Sequence, residues 1–340
     1  MLSEAPPAHV RCDVVAPAGE HLVYALPLRT RFRGITVREG VLRQGAAGWG
    51  DFCPFWDYDA EESLPWWRAA VEAAEQGWPA PVRDRVPVNC TVPAVDPDRA
   101  RAIAAAPHGC TTAKVKVAEP GQSLADDVAR VEAVRDALGA GGRVRVDANG
   151  AWDVDAAVTA LHALDRASGG LEYAEQPCAT VDELAAVRRR VNVPIAADES
   201  IRRAADPYLV AAREAADVAV LKVAPLGGVA ACLEIAGRID MPVVVSSALE
   251  SSVGLAAGVA LAAALPDLPY ACGLGTASMF GHDVTSSPLL AVDGMVPVGR
   301  VVPDPAALVV AAADPPTARR WSDRLDAVSV LERSAPGRLP

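Results

Sequence analysis

The chain has 340 residues, 51% hydrophobic and 22% charged, enough apolar material for a large soluble core and long enough for two domains or one barrel with an accessory domain. A formal charge of −11 with no Lys/Arg-rich run argues against a nucleic-acid surface. Seven cysteines (12, 53, 90, 110, 178, 232 and 272) are scattered without a C-x-x-C pair, which favours small buried thiols in a reduced compartment over a zinc cluster or a disulfide framework.

Nothing in the first residues reads as a secretory signal, and the longest apolar run, 253–265, is too short to span a bilayer. A cytoplasmic protein without membrane contact is expected. Residues from about 11 to 55 read as β: short apolar runs, among them 21–28, 34–42 and 48–52, separated by Gly or charged turns. Between the first two lies a basic loop, Arg29 to Gly34, either a solvated hairpin turn or a contact for an anion. Asp59 to Gly77 reads as a helix, with Ser63 as cap, Pro65 at its first position and Gly77 as its stop. Trp66 and Trp67 are expected to pack that helix onto the β layer.

From Val86 the texture changes to apolar strands alternating with Ala-rich helices. Strands are expected at Val86–Val92, Thr112–Val117, Arg143–Asp147, Leu171–Glu175, Pro194–Asp198, Val218–Val223, Pro242–Ser247 and Tyr270–Leu274. Helices fit Ser123–Leu138, Val154–Ala167, Val181–Arg190 and Gly228–Ile239. Near-continuous apolar strands indicate a parallel sheet covered by helices, and eight at regular spacing fit a closed barrel. No G-x-G-x-x-G follows the first strand, which weakens a dinucleotide-binding fold.

The carboxyl ends of these strands carry the chemistry. Strand two ends in Lys114-Val-Lys116, strands three to five in Asp147, Glu175 and Asp198, and strand six in Lys222. An acid at one strand end is usually a cap, and a lysine there usually a surface charge. Five coincident ends are poorly explained that way. Three carboxylates on successive strand ends would converge on one point, a hard oxygen site suited to Mg²⁺ and tolerant of Mn²⁺. Asn149 and Glu199, beside two of these acids, are candidates to orient them or a lysine. Lysines on strands two and six would face each other across the mouth of an eight-strand ring. Removing a proton next to a carboxylate requires a neutral amine, and a second ammonium beside Lys116 lowers its pKa. A small-molecule carboxylate substrate follows.

On these residues the sequence resembles the enolase superfamily, in its muconate-lactonizing-enzyme-like subgroup. The resemblance implies an α/β fold: a (β/α)7β TIM-like barrel over about 86–288, with an α+β capping domain formed by 1–85 and completed by about 289–340. It implies that Lys116 is the acid/base lysine, Lys222 the opposing lysine, and Asp147, Glu175 and Asp198 the metal ligands. The stretches 29–40, 48–52 and 246–254, and a compact cap, are similar to the actinobacterial type of o-succinylbenzoate synthase family. That likeness implies Mg-dependent syn dehydration of 2-succinyl-6-hydroxy-2,4-cyclohexadiene-1-carboxylate to o-succinylbenzoate, in menaquinone biosynthesis. N-acylamino-acid racemases, dipeptide epimerases and cycloisomerases of the subgroup would use the same groups. A metal-binding scaffold is the alternative without activity, though a purely structural metal gains nothing from buried cations nearby. For the substrate's succinyl carboxylate, Arg31, Arg33, Ser246, Ser247, Gly275 and Thr276 are candidates, or the Ser and Gly residues merely allow tight turns.

Overall fold

The computed structural model describes residues 21–106 and 108–334. β1 (His21–Phe32) and β2 (Ile35–Gly45) pair antiparallel, and Phe32 faces Ile35 across a two-residue turn. Arg33 and Gly34 form that turn with φ of 48° and 78°, the left-handed pair that matches the twist of a hairpin. The basic segment expected as a loop is therefore mostly strand. β3 (Gly48–Phe52) completes this layer beside β2.

α1 (Ala60–Val71) is capped by Asp59, not Ser63. Asp59 accepts from the Glu62 N–H at 2.8 Å and Glu62 returns the bond to the Asp59 N–H at 3.2 Å, a capping box. Ser63 and Pro65 both lie inside the helix, and a π turn over Glu72–Gln76 carries it to Gly77. Trp66 is fully buried and Trp67 meets Phe52 edge-on at 5.7 Å, so the pair packs the helix on the β layer as expected.

The single strand expected over Val86–Val92 is two, β4 (Arg85–Pro87) and β5 (Cys90–Val92). After α2 (Pro97–Ala104) come β6 (Thr112–Lys116), α3 (Leu124–Leu138), β7 (Arg143–Asp147), α4 (Val154–Ser168), β8 (Leu171–Glu175) and α5 (Val181–Arg188). β9 (Ile195–Ala197), α6 (Glu199–Arg202), α7 (Leu209–Ala212), β10 (Val218–Leu221), α8 (Val223–Leu226), α9 (Val229–Arg238), β11 (Val243–Val245) and α10 (Ser252–Ala264) follow. β12 (Met295–Pro297) pairs antiparallel with β4, which takes β4 out of the parallel sheet. α11 (Pro305–Ala311) and α12 (Pro315–Ser334) end the described chain.

β5 to β11 form one parallel sheet in sequence order. Two parallel bridges, Val88 to Cys272 and Ser246 to Gly273, join its edges where a full strand over Tyr270–Leu274 was expected. The Cys272 N–H donates to the Pro87 carbonyl at 2.7 Å and the Gly273 N–H to the Val245 carbonyl at 2.8 Å, so the ring closes as a TIM-like α/β barrel. Its interior holds Tyr173, Ala196, Val218, Val220 and Val244, and the fully buried Arg145 lies against Tyr173 and pairs with Glu172.

The C-terminal elements return to the first layer. Tyr24 bridges Ala312, and Trp321 of α12 is fully buried against Phe52 at 5.9 Å. The six described cysteines are buried and unpaired, while Cys12 lies outside the described residues. No described helix is long and apolar enough to cross a membrane.

Candidate active site

Alternation along each strand aims the charged residues at one face. Ala113 and Val115 of β6 are buried in the apolar layer, so Lys114 and Lys116 take the other side, as do Arg145 and Asp147 on β7. The register sets Lys116 beside Asp147 and Asp147 beside Glu175, placing three charged ends at one level.

Lys114 Nζ donates to both carboxylate oxygens of Glu175 at 2.8 Å and lies 3.2 Å from Asp147 Oδ2. Lys116 Nζ donates to Asp147 Oδ2 and Asn149 Oδ1, each at 2.5 Å, and stands 5.4 Å from the centre of the Phe32 ring. Lys222 Nζ donates to Asp198 Oδ2 at 2.6 Å, and Arg202 Nε to Asp198 Oδ1 at 2.8 Å. Asn149 Nδ2 reaches Glu199 Oε1 at 3.2 Å. All eight predicted lysine, acid and orienting residues thus lie in one connected cluster. The expected convergence of three carboxylates on one point is only partly realised, because ammonium groups stand between them. Among the described residues no three His, Cys, Asp or Glu side chains form a ready-made metal cage.

The electrostatics separate the two lysines of β6. Burial pulls Lys114 down, but the Glu175 and Asp147 carboxylates outweigh it and hold its ammonium above the usual lysine range. Burial pulls Lys116 below that range; Asp147 opposes this and the Lys114 ammonium adds to it. For Asp147 and Asp198, burial pushes upward, but Lys116 and Lys114 around the first, and Arg202 and Lys222 around the second, hold both well below ordinary carboxylates. Glu175 is pushed up to about 7, by burial first and then by the Asp147 charge. The arrangement therefore contains one lysine that keeps its proton next to one that gives it up more readily.

A cavity opens above this cluster, closed on one side by the hairpin tip. Phe32, Arg33 and Phe55 line it from the N-terminal layer, and Ser246 to Leu249, Gly273 and Thr276 from the last strand ends. Of the residues considered for the succinyl carboxylate, Arg33, Ser246, Ser247 and Thr276 line this cavity. Arg31 is exposed and does not line the cavity. Gly275 does not line it either: a Cβ there would sit 2.6 Å from the Asn89 carbonyl oxygen, so tight packing explains that glycine.

Three residues of the site escaped the sequence reading. Arg202 joins Asp198, Glu199 and the Tyr58 hydroxyl, and its spacing of four from Asp198 was a usable signal on a helix. Gln176 accepts from the Asp198 N–H at 3.0 Å and the Ser200 N–H at 3.2 Å. Arg38, fully buried on β2, grips the loop after β11.

Known proteins share this architecture. The enolase C-terminal domain-like family profile matches residues 98–304, and the enolase N-terminal domain-like profile matches residues 23–74. The chain is 66% identical over 304 residues to an o-succinylbenzoate synthase of Thermobifida fusca, covering 89% of this chain and 94% of that protein. It is 59% identical over 309 residues to an o-succinylbenzoate synthase of Mycolicibacterium smegmatis, covering 91% and 95%. Muconate cycloisomerase from Pseudomonas fluorescens superposes with a TM-score of 0.73 at 21% identity, covering 87% of this chain and 98% of that one, a likeness of fold. Lysines at the ends of β6 and after β10, acids at the ends of β7 to β9 and this breadth of similarity have one reading: the chain belongs to the enolase superfamily, in its muconate-lactonizing-enzyme-like subgroup, as a homologue of the actinobacterial o-succinylbenzoate synthases.

Proposed function

We propose that the chain dehydrates 2-succinyl-6-hydroxy-2,4-cyclohexadiene-1-carboxylate to o-succinylbenzoate, as a cytoplasmic hydro-lyase of menaquinone biosynthesis. The observation that carries this reading is 66% identity to a synthase of that name across nearly the whole of both chains. Residues 1–85 with 289–340 would form the capping domain and 86–288 the barrel.

The donor set suits a hard divalent cation: three buried carboxylates, two of them within reach of one ammonium nitrogen, and neither His nor Cys among them. Asp147, Glu175 and Asp198 would hold Mg²⁺, with Mn²⁺ tolerated. When bound, the cation would stabilise the extra charge that a substrate carboxylate gains as its α-proton leaves.

The remaining work belongs to side chains of the chain itself. Neutral Lys116 Nζ takes the proton from the carbon bearing the carboxylate, and the C–H pair becomes the enediolate. Lys222 stays cationic and offsets that charge from the other side. The enediolate then expels the hydroxyl at the neighbouring carbon, Lys116 returns the proton to it, water leaves and the ring becomes aromatic. One lysine serving as base and then acid requires both events on one face, a syn elimination. Arg33 at the cavity rim, with Ser246, Ser247 and Thr276, would receive the succinyl carboxylate.

Ultraviolet absorbance follows the ring becoming aromatic. Dehydration should be rapid with Mg²⁺ or Mn²⁺, abolished by chelator and restored by metal. α-Proton exchange into N-succinyl or N-acetyl amino acids in heavy water should be slow. Fast exchange with negligible dehydration would replace this reading by the racemase one, and turnover undiminished by chelator would remove the metal.

A further inference from the structure

Arg38 stands on β2, outside the cluster of lysines and acids, and only 2% of it is exposed. A buried guanidinium needs partners for its donors. The hydrogen bonds it donates among the described residues go to main-chain carbonyls: Nε to Leu249 at 2.9 Å, one terminal nitrogen to Ala248 at 3.3 Å and to Cys53, and the other to Glu39 at 3.5 Å. Its guanidinium carbon lies 4.1 Å from the centre of the Phe55 ring. Arg33 lies over the same ring at 4.2 Å, so Phe55 is in contact with both guanidinium groups.

Phe55, Ala248 and Leu249 all line the cavity, and they come from two segments far apart in sequence. Leu249 has φ of 65°, a left-handed conformation strained for a branched side chain that persists only where its surroundings enforce it. The enforcement is visible. Arg38 holds the Leu249 and Ala248 carbonyls, and Glu250 Oε2 accepts from the Ala248 N–H at 2.8 Å. A lysine cannot replace this grip, since one ammonium cannot fork to separated carbonyls while lying flat on a ring.

We infer that Arg38 is a positioning residue for substrate binding: from the cap it fixes Phe55, Ala248 and Leu249, and through Phe55 it fixes Arg33. Its role is to shape the wall that receives the part of the carboxylate substrate remote from the reacting carbon. This inference rests on the dehydration reading and assigns Arg38 an effect on affinity, not on proton transfer, because the lysine–acid cluster is untouched.

The test compares Arg38→Lys and Arg38→Met with Arg135→Lys in the full chain with Mg²⁺. Arg135 holds the Ser168, Gly139 and Gly142 carbonyls away from the cavity and controls for a general loss of stability. Both Arg38 variants should raise KM by about tenfold or more, with kcat changed less than about threefold and its pH profile unmoved. Arg135→Lys should lower Tm and leave KM alone. If Arg38→Met does not fold, Arg38→Lys keeps the buried cation and carries the test. In a Leu249→Gly background the Arg38→Lys effect on KM should shrink, because the strain Arg38 restrains is gone. Calorimetric affinity for o-succinylbenzoate gives a readout independent of turnover and should fall by the same factor as KM rises. A folded Arg38→Lys with wild-type KM and product affinity overturns the inference, as does an equal loss in kcat with a displaced pH profile. Wild-type protein that binds o-succinylbenzoate without dehydrating the precursor sinks the reaction alone, and the affinities still judge Arg38; protein that does neither sinks both.

Discussion

Two buried clusters of charge meet at this cavity, and they are built differently. On the barrel floor, Lys114, Lys116, Lys222 and Arg202 are paired directly with Asp147, Glu175, Asp198 and Glu199. In the wall, Arg38 bonds only carbonyls, while Asp51 is satisfied by the Tyr24 hydroxyl at 2.9 Å and the Ser251 hydroxyl at 2.7 Å. Glu250 accepts from the main-chain N–H of Ala248. Side chains paired with side chains can exchange protons and release partners when a substrate or cation arrives. Groups locked to main-chain carbonyls, main-chain N–H groups and neutral hydroxyls hold shape. The floor is arranged for reaction, the wall for fit.

The largest effect should come from the floor. Lys116→Ala should lower kcat by about 10³-fold or more with the fold intact, and Lys116→Arg should fail as well, since a guanidinium stays protonated. Near-normal dehydration by either would move the base elsewhere and erase the contrast.

Glu250 tests the wall. Burial holds its carboxyl up to about 7, against an ordinary 4.5. Between those values the folded chain keeps a proton that the unfolded chain has lost, so stability falls as pH rises through that window and levels off above it. Glu250→Gln should therefore gain about 3 kcal/mol at pH 8, at about 1.4 kcal/mol per pKa unit, and nothing near pH 4.5. Denaturant unfolding at both pH values decides, and a Gln variant less stable at pH 8 than the wild type would mean that the fold favours the carboxylate's charge instead of penalising it.

Lys114→Ala should cost about tenfold to a hundredfold in kcat at neutral pH. Losing the neighbouring ammonium raises the pKa of Lys116, so the acid limb of the rate profile should move to higher pH. An unmoved limb would show that burial alone tunes Lys116. The smallest contrast lies within the hairpin. Arg33→Ala should raise KM by about tenfold and Arg31→Ala by less than about twofold, because only Arg33 faces the cavity. Equal effects would enlarge the substrate site beyond the described wall.

Much of the floor was legible because strand ends are local signals. β7 and β8 run over the residues expected, since apolar runs bounded by a turn or an acid mark a buried strand. The break between β4 and β5 had only a short mark, Pro87 and Asn89 inside an otherwise β-prone run, at the point where the partner changes from β12 to β6. The α1 cap was readable, as Asp59 with Glu62 three residues on is a stronger pattern than Ser63. The wall was hidden for a different reason. Arg38 sits in a strand beside Glu39 and looks exposed until the loop after β11 arrives from far along the chain. The end of β1 likewise read as part of a loop, because Arg29 and Arg31 interrupt the apolar pattern there.

Phe52 lies near the start of the described chain, and Trp321, which covers it, is among the last described residues to be made. During synthesis the first sheet, covered early by α1 through Trp67, must therefore wait for the rest of its cover until the barrel strands have been made. That interval makes the nascent hairpin layer a natural client for chaperones, and a chain stopped before Pro315 would remain in that state, prone to aggregate although its barrel strands were complete.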